Sequence, residues 1–393
     1  MIKKFLDLGY QPLANLYVLK KNLNLKEKKF KLEVGFNKNN YLVSILKTIS
    51  KEQMFNKDYP YKSSESYTMR KSFKDLAKKI KKEFKPKFII EIGSNDGAFI
   101  TNFNRKLIVG VEPCINLAQI TKKKKYKTYS EYWNQKLSKK ITKIKKADLI
   151  YSANTLSHIE NFNEIFEAVN NALSDKGILI LEDPSLLKCL QNVAYDQFYC
   201  EHIYVFSTLA LREILKNFDL EIFDIENTKT HGGSNRYYIK KKINNIYKIN
   251  NRVKTEIKKE LIFGLDKLST YKTFEKKVKK SKKNLLKIFE DLHKKNLRII
   301  GYGATAKSCT VLNYCGLGNN DIKYFFDTTS YKINKYLPGS KILIKKYKKL
   351  DRRQVDLVYL GAWNFKEEIF KKEKSFINKG GRFITHTPYP KII

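Results

Sequence analysis

The chain has few cysteines, a shortage of acid and no long apolar run. Its 393 residues hold five cysteines, Cys114, Cys189, Cys200, Cys309 and Cys315. No two form a Cys-x-x-Cys pair, and the number is odd. This excludes a simple disulfide framework and fits reduced thiols. No stretch reaches the roughly 18 apolar residues that a membrane span requires. The N-terminus lacks the apolar segment of a secretion signal. The expected location is cytoplasmic, with no membrane partner. Acid is the scarce charge: 39 Asp and Glu against 79 Lys and Arg leave a formal net charge of +40. Such a balance raises a nucleic-acid reading. Lysine far outnumbers arginine, however, and the lysines are spread along the whole chain. Asn, Ile and Tyr are abundant beside them, as AT-rich coding produces. The densest run, Lys122 to Lys125, falls where a solvated helix end is expected. No nucleic-acid partner is expected, although the positive field still attracts anionic substrates.

What the chain does have is apolar surface to bury: 42% hydrophobic residues, 13% aromatic. At this length, two or three domains are expected. Residues 67–84 read as a helix, with Phe73, Leu76, Ala77 and Ile80 on one face. Then Phe88–Ile92, a run of strand length, ends abruptly in Gly93-Ser94-Asn95-Asp96-Gly97. This is how the first strand of a doubly wound α/β domain delivers a nucleotide-like ligand to the sheet tip. Gly93 and Gly97 permit positive φ and close backbone approach. The loop carries carboxylates where a pyrophosphate site wants bare N–H groups. Glu91 and Asp96 suit a zwitterionic amino acid and a sulfonium, so S-adenosylmethionine (SAM) is the expected cofactor. The next strand, Leu107–Val111, ends at Glu112, an acid placed to hold two ribose hydroxyls. The competing reading is an ordinary Rossmann turn with surface acids. Further strands are expected at Asp148–Ser152, Ile178–Glu182, Leu220–Ile225 and Asn235–Ile239, in a parallel sheet. A helix near Phe162–Leu173 is expected to stop before Gly177 as its C-cap. Before residue 67 the text is mixed, with a turn at Gly9–Pro12 and β-like runs at Phe30–Phe36 and Tyr41–Ile45.

After residue 240 comes a Lys-rich, helical stretch. Val253, Ile257, Leu261, Leu265 and Leu268 fall on one stripe; Leu285, Ile288, Phe289 and Leu292 follow. A second α/β unit opens at Leu297–Ala304, where a strand again runs into a glycine turn, Gly301-Tyr302-Gly303-Ala304. A helix over Ala306–Tyr314 follows, then strands at Ile322–Phe326, Val355–Leu360 and Arg382–Thr385. The helix start, Lys307 and the strand-end Asp327 suit a phosphate-bearing ligand; a packing domain without ligand is the alternative. Two histidines stand near strand ends. His202 lies in Tyr199-Cys200-Glu201-His202, and His158 in Ala153-Asn154-Thr155-Leu156-Ser157-His158. A His beside Glu and Tyr supplies a base near neutral pH and a hydrogen-bond donor; a buried, satisfied core residue is the ordinary alternative. His231-Gly232-Gly233-Ser234 offers backbone N–H groups and a ring for phosphate or sugar. His293 and His386 read as structural or exposed.

These motifs, taken in order, resemble the sugar-nucleotide C-methyltransferase family of deoxysugar pathways. Matching words are Leu6–Asn15, Tyr59–Ser66, Glu91–Gly97, Gly110–Pro113, Asp196–His202, Thr230–Ser234, Gly301–Ala304, Asn313–Gly316, Tyr336–Gly339 and Ala362–Asn364. The resemblance implies an α/β fold: a doubly wound Rossmann-like SAM-binding domain (67–243), a small N-terminal lobe (1–66) and a second Rossmann-like C-terminal domain (244–393). It implies methylation of C3 of an NDP-4-keto-deoxysugar. His202 takes the C3 proton, Tyr199 or His158 stabilises the enolate, Glu201 orients His202, and Tyr61 with Tyr59 closes over the sugar. Cofactor contacts fall on Glu91, Gly93, Asn95, Asp96, Gly97, Glu112, Pro113 and Asn154. Substrate contacts fall on His231, Gly232, Gly233, Ser234, Arg236, Gly303, Ala304, Lys307, Asn313, Asp327, Trp363 and Asn364. The partner is a nucleotide-linked sugar; the oligomeric state stays open. The chain departs from the family at three places. Asn37-Lys38-Asn39-Asn40 stands where the second Cys-x-x-Cys of an N-terminal zinc site belongs, and nothing precedes it to match the first pair. No structural zinc is therefore expected. Cys200 replaces the first His of Tyr-His-Glu-His. Gly303-Ala304-Thr305-Ala306-Lys307-Ser308 replaces Gly-Ala-Pro-Ala-Lys-Gly. Sugar O-methylation, a basic RNA-binding protein or methyltransferase, and a degenerate paralogue remain alternative readings.

Overall fold

The apolar runs become buried strands of three sheets in a computed structural model that describes residues 2–55 and 58–393. The first strands are β1 (Ile2–Pro12), β2 (Lys29–Asn37) and β3 (Val43–Ile45). Next come β4 (Ile89–Ile92), β5 (Ile108–Val111), β6 (Thr128–Tyr129), β7 (Ala147–Ala153) and β8 (Leu173–Pro184). They are followed by β9 (Tyr204–Val205), β10 (Leu220–Thr228) and β11 (Ser234–Lys241). The last are β12 (Ile299–Tyr302), β13 (Phe325–Asp327), β14 (Ile344–Lys346), β15 (Leu357–Leu360), β16 (Arg382–Thr385) and β17 (Lys391–Ile392).

The central sheet runs β10-β11-β8-β7-β4-β5-β6. Every residue of β4 and β5 is buried, as strands covered on both faces require. The helix Tyr67–Glu83 forms where the apolar spacing places it. Ser66 caps it by accepting from the Met69 N–H, and Met69, Phe73, Leu76, Ala77 and Ile80 are buried. The expectation of an all-parallel sheet needs correction: β11 is antiparallel to both β8 and β10. The nine residues between the runs Leu220–Ile225 and Asn235–Ile239 are too few for a parallel crossover, which needs a dozen or more residues.

Gly177 is also not a helix cap. The helix Phe162–Ala172 ends on Leu173, and Gly177 lies inside β8. A Cβ there would meet the Ala147 carbonyl oxygen at 2.7 Å, so close strand approach is what demands glycine. The Gly9–Pro12 turn is likewise an irregular stretch of β1, with a register shift between Asp7 and Tyr10. The single stripe from Val253 to Leu268 is broken at Gly264, whose φ of +88° ends the helix Asn251–Phe263. Leu261 is exposed, while Leu265 is buried beyond the break. Gly264→Ala meets both the left-handed backbone and Thr270 Oγ1 at 2.6 Å. Urea melts should show a loss of about 1–2 kcal/mol.

The N-terminal residues do not stand apart. Their sheet, β1-β2-β3-β9, borrows β9 from the chain after the central sheet's β8. Phe36 stacks on Tyr271 of the long helix Leu268–His293 with ring centroids 4.4 Å apart, and Phe5 packs on the same ring. Val18 bridges to Tyr336 and Tyr17 Oη donates to the Ala304 carbonyl, joining this lobe to the third sheet. That sheet runs β14-β13-β12-β15-β16-β17, parallel except for β17. No helix among the described residues is long and apolar enough to cross a membrane.

Candidate active site

Both Rossmann-like sheets have a switch point, where neighbouring connections leave the first strand in opposite directions. Such points hold ligands at the strands' C-terminal ends. In the central sheet this is β4 between β5 and β7; in the third it is β12 between β13 and β15. The two face one continuous cavity of ≈ 830 Å³. Glu91, Gly93, Asn95, Glu112, Pro113 and Asn154 line one end, and Gly303, Lys307, Asp327 and Asn364 the other. Tyr59, Tyr61, His158, Tyr199, His202 and His231 lie along it.

At the first end the fit to SAM can be tested on unpaired atoms. Glu91 Oε2, Ser94 Oγ and Asn154 Oδ1 are buried and find no protein partner among the described residues. Burial pushes the Glu91 carboxyl well above the ordinary range, and the neighbouring Glu112 carboxylate adds to the rise. A cationic ligand group relieves that cost. Glu112 accepts the Asn95 and Cys114 N–H groups, each at 2.8 Å. Each of its oxygens retains a second lone pair for a hydroxyl. Donor-poor and acceptor-rich, this end fits an amino acid ammonium and a ribose. Asp96 and Gly97 are placed elsewhere. Asp96 accepts from Ser63 Oγ and from both the N–H and hydroxyl of Ser64. Asn95 Oδ1 accepts the Ser63 N–H at 2.9 Å. The glycine loop thus pins the Tyr61–Ser64 segment over the cavity.

The middle of the cavity holds an ordered imidazole. His202 Nδ1 lies 2.7 Å from the Gln197 carbonyl oxygen, and Nε2 lies 2.7 Å from Tyr199 Oη. A carbonyl only accepts, so Nδ1 carries the proton and Nε2 the lone pair, which takes the Tyr199 hydroxyl. Burial holds His202 well below its ordinary pKa, helped by neighbouring His158 and the Lys307 charge. The His158 ring stacks on His202 at 5.1 Å. Burial, then the Lys307 charge, pushes both His158 and His231 down to about 3. Three neutral imidazoles therefore face the cavity at neutral pH.

Glu201 does not touch His202. Its carboxylate accepts from Tyr59 Oη and Asn15 Nδ2, both at 2.7 Å, and burial pushes it up to about 7. The Gln197 carbonyl orients His202 instead. Tyr59 is buried on that carboxylate, whereas Tyr61 keeps 37% of its surface open. Cys200 is buried in the core with its thiol pushed up to about 12 by burial.

Several expected substrate residues hold structure together. Arg236 pairs with buried Glu182 at 2.8 Å on the sheet, away from the cavity lining. Ser234 Oγ donates to the Thr230 carbonyl. Gly232 lies under the Trp363 indole, where a Cβ would meet the ring at 2.3 Å, and Gly233 packs on Lys188. Asn313 Nδ2 donates to the Cys309 and Pro338 carbonyls. Ala304 N–H donates to Asp327, whose other oxygen accepts the Thr329 N–H. Two lysines of the lining, and a glutamine buried behind His202, were less visible. Lys332 donates to Asp327 and the Ala304 carbonyl, and Lys372 lies over the Tyr347 ring. Neither sits in a recognisable motif. Gln197 sits inside one, Asp196–His202, but nothing in the sequence gave it a role.

A Rossmann-like sheet with this acid-lined, donor-poor switch point defines a SAM-dependent methyltransferase. Three family models account for most of the chain. Residues 61–225 match a methyltransferase domain, residues 229–388 a C-methyltransferase C-terminal domain, and residues 1–55 a "Putative zinc binding domain". The chain belongs to the SAM-dependent C-methyltransferases. It is 29% identical over 308 residues to C-methyltransferase NovU of Streptomyces niveus, covering 78% of this chain and 73% of that one. Similar solved structures include a SAM-dependent methyltransferase from Clostridium acetobutylicum, with 16% identity, TM-score 0.35, and coverage of 44% of this chain and 92% of that one. Another is a possible histamine N-methyltransferase from Thermotoga maritima, with 17% identity, TM-score 0.35, and coverage of 44% and 90%. Residues 1–55 contain no Cys and no His. Among the described residues no group of three His, Cys, Asp or Glu could hold a metal.

Proposed function

We propose that this enzyme methylates C3 of a nucleotide-linked 4-keto-deoxysugar through an enolate, in deoxysugar or polysaccharide biosynthesis. The observation that carries the reading is His202, buried, neutral and with its lone pair at Nε2 inside the cavity shared by the two sheets. A 4-keto group acidifies the C3 proton, and a neutral imidazole removes it at neutral pH. Tyr199 Oη occupies Nε2 in the free enzyme. As the substrate proton arrives, that hydroxyl gives way and becomes a donor for the enolate oxygen. Glu91 and Glu112 hold the cofactor's ammonium and ribose, while Asn154 offers a further acceptor. Bound there, SAM supplies an electrophilic methyl group on its sulfonium. The segment Tyr59–Ser64, pinned by Asn95 and Asp96, covers the sugar and excludes water. Lys332 and Lys372 bring positive charge to the far end, which suits a diphosphate.

Titration with S-adenosylhomocysteine (SAH), then with dTDP, GDP, CDP and UDP in the same cell, tests this. The expected result is SAH binding followed by selective binding of one nucleotide. Incubating the matching 4-keto sugar in D2O is expected to place deuterium at C3. SAH binding with no nucleotide bound would sink the nucleotide-sugar substrate but keep the methyltransferase. Methylation of a reduced sugar without exchange at C3 would replace carbon by oxygen as the acceptor.

A further inference from the structure

We propose that Lys307 and Gln197 are positioning residues for His202, so that a side chain from the third sheet's first helix sets the base on the central sheet's side of the cavity. The inference rests on His202 acting as the base. Its ring is oriented by one fixed acceptor, the Gln197 carbonyl. That carbonyl is held because the Gln197 side chain is pinned at both ends. Its Oε1 accepts from Lys307 Nζ at 2.6 Å, and its Nε2 donates to the His231 carbonyl at 2.7 Å. Gln197 is 2% exposed and Lys307 7%.

The chemistry of the lysine is the unusual part. A buried ammonium is costly unless a carboxylate pairs with it. Among the described residues Lys307 makes no salt bridge, and it spends a hydrogen bond on a neutral amide oxygen instead. That arrangement is poor for stability but leaves the positive charge facing the imidazoles. The residue before Gln197 is fastened from the same side. Asp196 Oδ2 accepts Trp363 Nε1 at 2.6 Å and lies 3.2 Å from His386 Nε2. Both partners belong to the C-terminal unit. The short turn Tyr195–Gln197, which leads into the base, is therefore locked by two consecutive side chains bonded to residues of the C-terminal unit.

Two consequences follow. The Gln197 carbonyl enforces the Nδ1–H tautomer, which leaves Nε2 as the basic atom. The Lys307 charge opposes protonation of His202, keeping it neutral. The other groups facing this ring are Tyr199 on its own loop, His158 after β7 and His231 before β11; Glu201 is turned away onto Tyr59 and Asn15.

The test is two-bond 1H–15N correlation spectra of the 15N-histidine-labelled full chain. Five histidines keep the spectrum simple, and His202→Asn assigns the His202 signals. Wild type should show the neutral Nδ1–H form. Lys307→Met should raise the His202 titration midpoint by about one pH unit. Gln197→Ala should mix the two neutral tautomers, with SAH binding as the check on folding. Lys307→Arg, which keeps charge and donor, should restore the wild-type signals. His202 signals unmoved in both Lys307→Met and Gln197→Ala would overturn the proposal, as would Lys307→Arg shifting them as far as Lys307→Met. Unmoved signals with weakened nucleotide binding would make Lys307 a phosphate ligand instead. If Lys307→Met does not fold, Gln197→Glu decides. It keeps the acceptor for Lys307 but loses the donor to His231 and adds negative charge, so an unmoved midpoint there also overturns it. No methyl acceptor is needed, so this outcome is separate from the fate of the sugar assignment.

Discussion

His202→Ala is expected to lower kcat by about 10³-fold, inside the ~10²–10⁴ range of a positioned general base, with SAH affinity unchanged. The two effects separate because His202 and the cofactor end of the cavity share no hydrogen bond. Glu91 and Glu112 stand at the β4 and β5 ends, while His202 hangs from Gln197. The pH profile adds a second readout. His202 sits well below its ordinary pKa, first because it is buried and then because His158 and Lys307 face it. It is therefore already a free base at neutral pH, and the acid limb of kcat/KM should lie well below pH 6.5. A limb at ordinary histidine pH would mean that the ring is solvated in the working enzyme. Turnover close to wild type in His202→Ala would remove this residue as the base altogether. His202→Asn separates shape from basicity, because an amide can still donate to the Gln197 carbonyl but cannot take a proton.

Much of the fold was legible because both Rossmann-like units announce themselves by the same local event. Ile89–Ile92 and Ile299–Tyr302 are apolar runs that stop at a glycine turn, and each became the strand at its sheet's switch point. Period alone did not reveal direction. Leu220–Thr228 and Ser234–Lys241 look like any buried strands, and only the short loop between them dictates an antiparallel pair. Glycine was legible as a breaker but ambiguous in kind. Gly264 ends a helix, Gly177 permits strand approach and Gly232 makes room for Trp363. The cavity end built by Glu91 and Glu112 could be read from local sequence, since Glu91 is the penultimate residue of its strand and Glu112 directly follows its own. Asp96 could not, because its partners Ser63 and Ser64 are far away in the chain. The same limit hid Gln197, whose importance lies in contacts to Lys307 and His231 that only tertiary packing creates. Glu201 illustrates the reverse error. Adjacency to His202 in the chain suggested partnership, but the backbone turns the carboxylate away onto Tyr59 and Asn15.

Glu91 carries the other large effect. Its Oε2 is buried without a partner, and its carboxyl lies well above the ordinary range through burial and then through the Glu112 charge. Below that raised pKa the free protein holds Glu91 protonated. An ammonium bound beside it favours the carboxylate, so the proton must leave as the ligand binds. The sign is fixed. Affinity for SAH should fall as pH is lowered through the raised Glu91 pKa, and proton release should vanish at pH values above it. Titration calorimetry in phosphate and in Tris, whose ionisation enthalpies differ, reads that release directly from the difference in heat. Glu91→Gln keeps the shape and removes the charge. It should weaken SAH binding by about 100-fold, equivalent to ~2.7 kcal/mol, and abolish the buffer-dependent heat. It should also relieve the burial cost in the free protein, so its thermal stability at neutral pH should not fall. A destabilised Glu91→Gln with unchanged affinity would assign the carboxyl to the fold. Wild-type affinity with no proton release would place the ammonium elsewhere in the cavity. Weakened binding together with loss of the buffer-dependent heat in Glu91→Gln would make the buried acid a group held uncharged until a cation arrives, coupling recognition of the cofactor to a single ionisation.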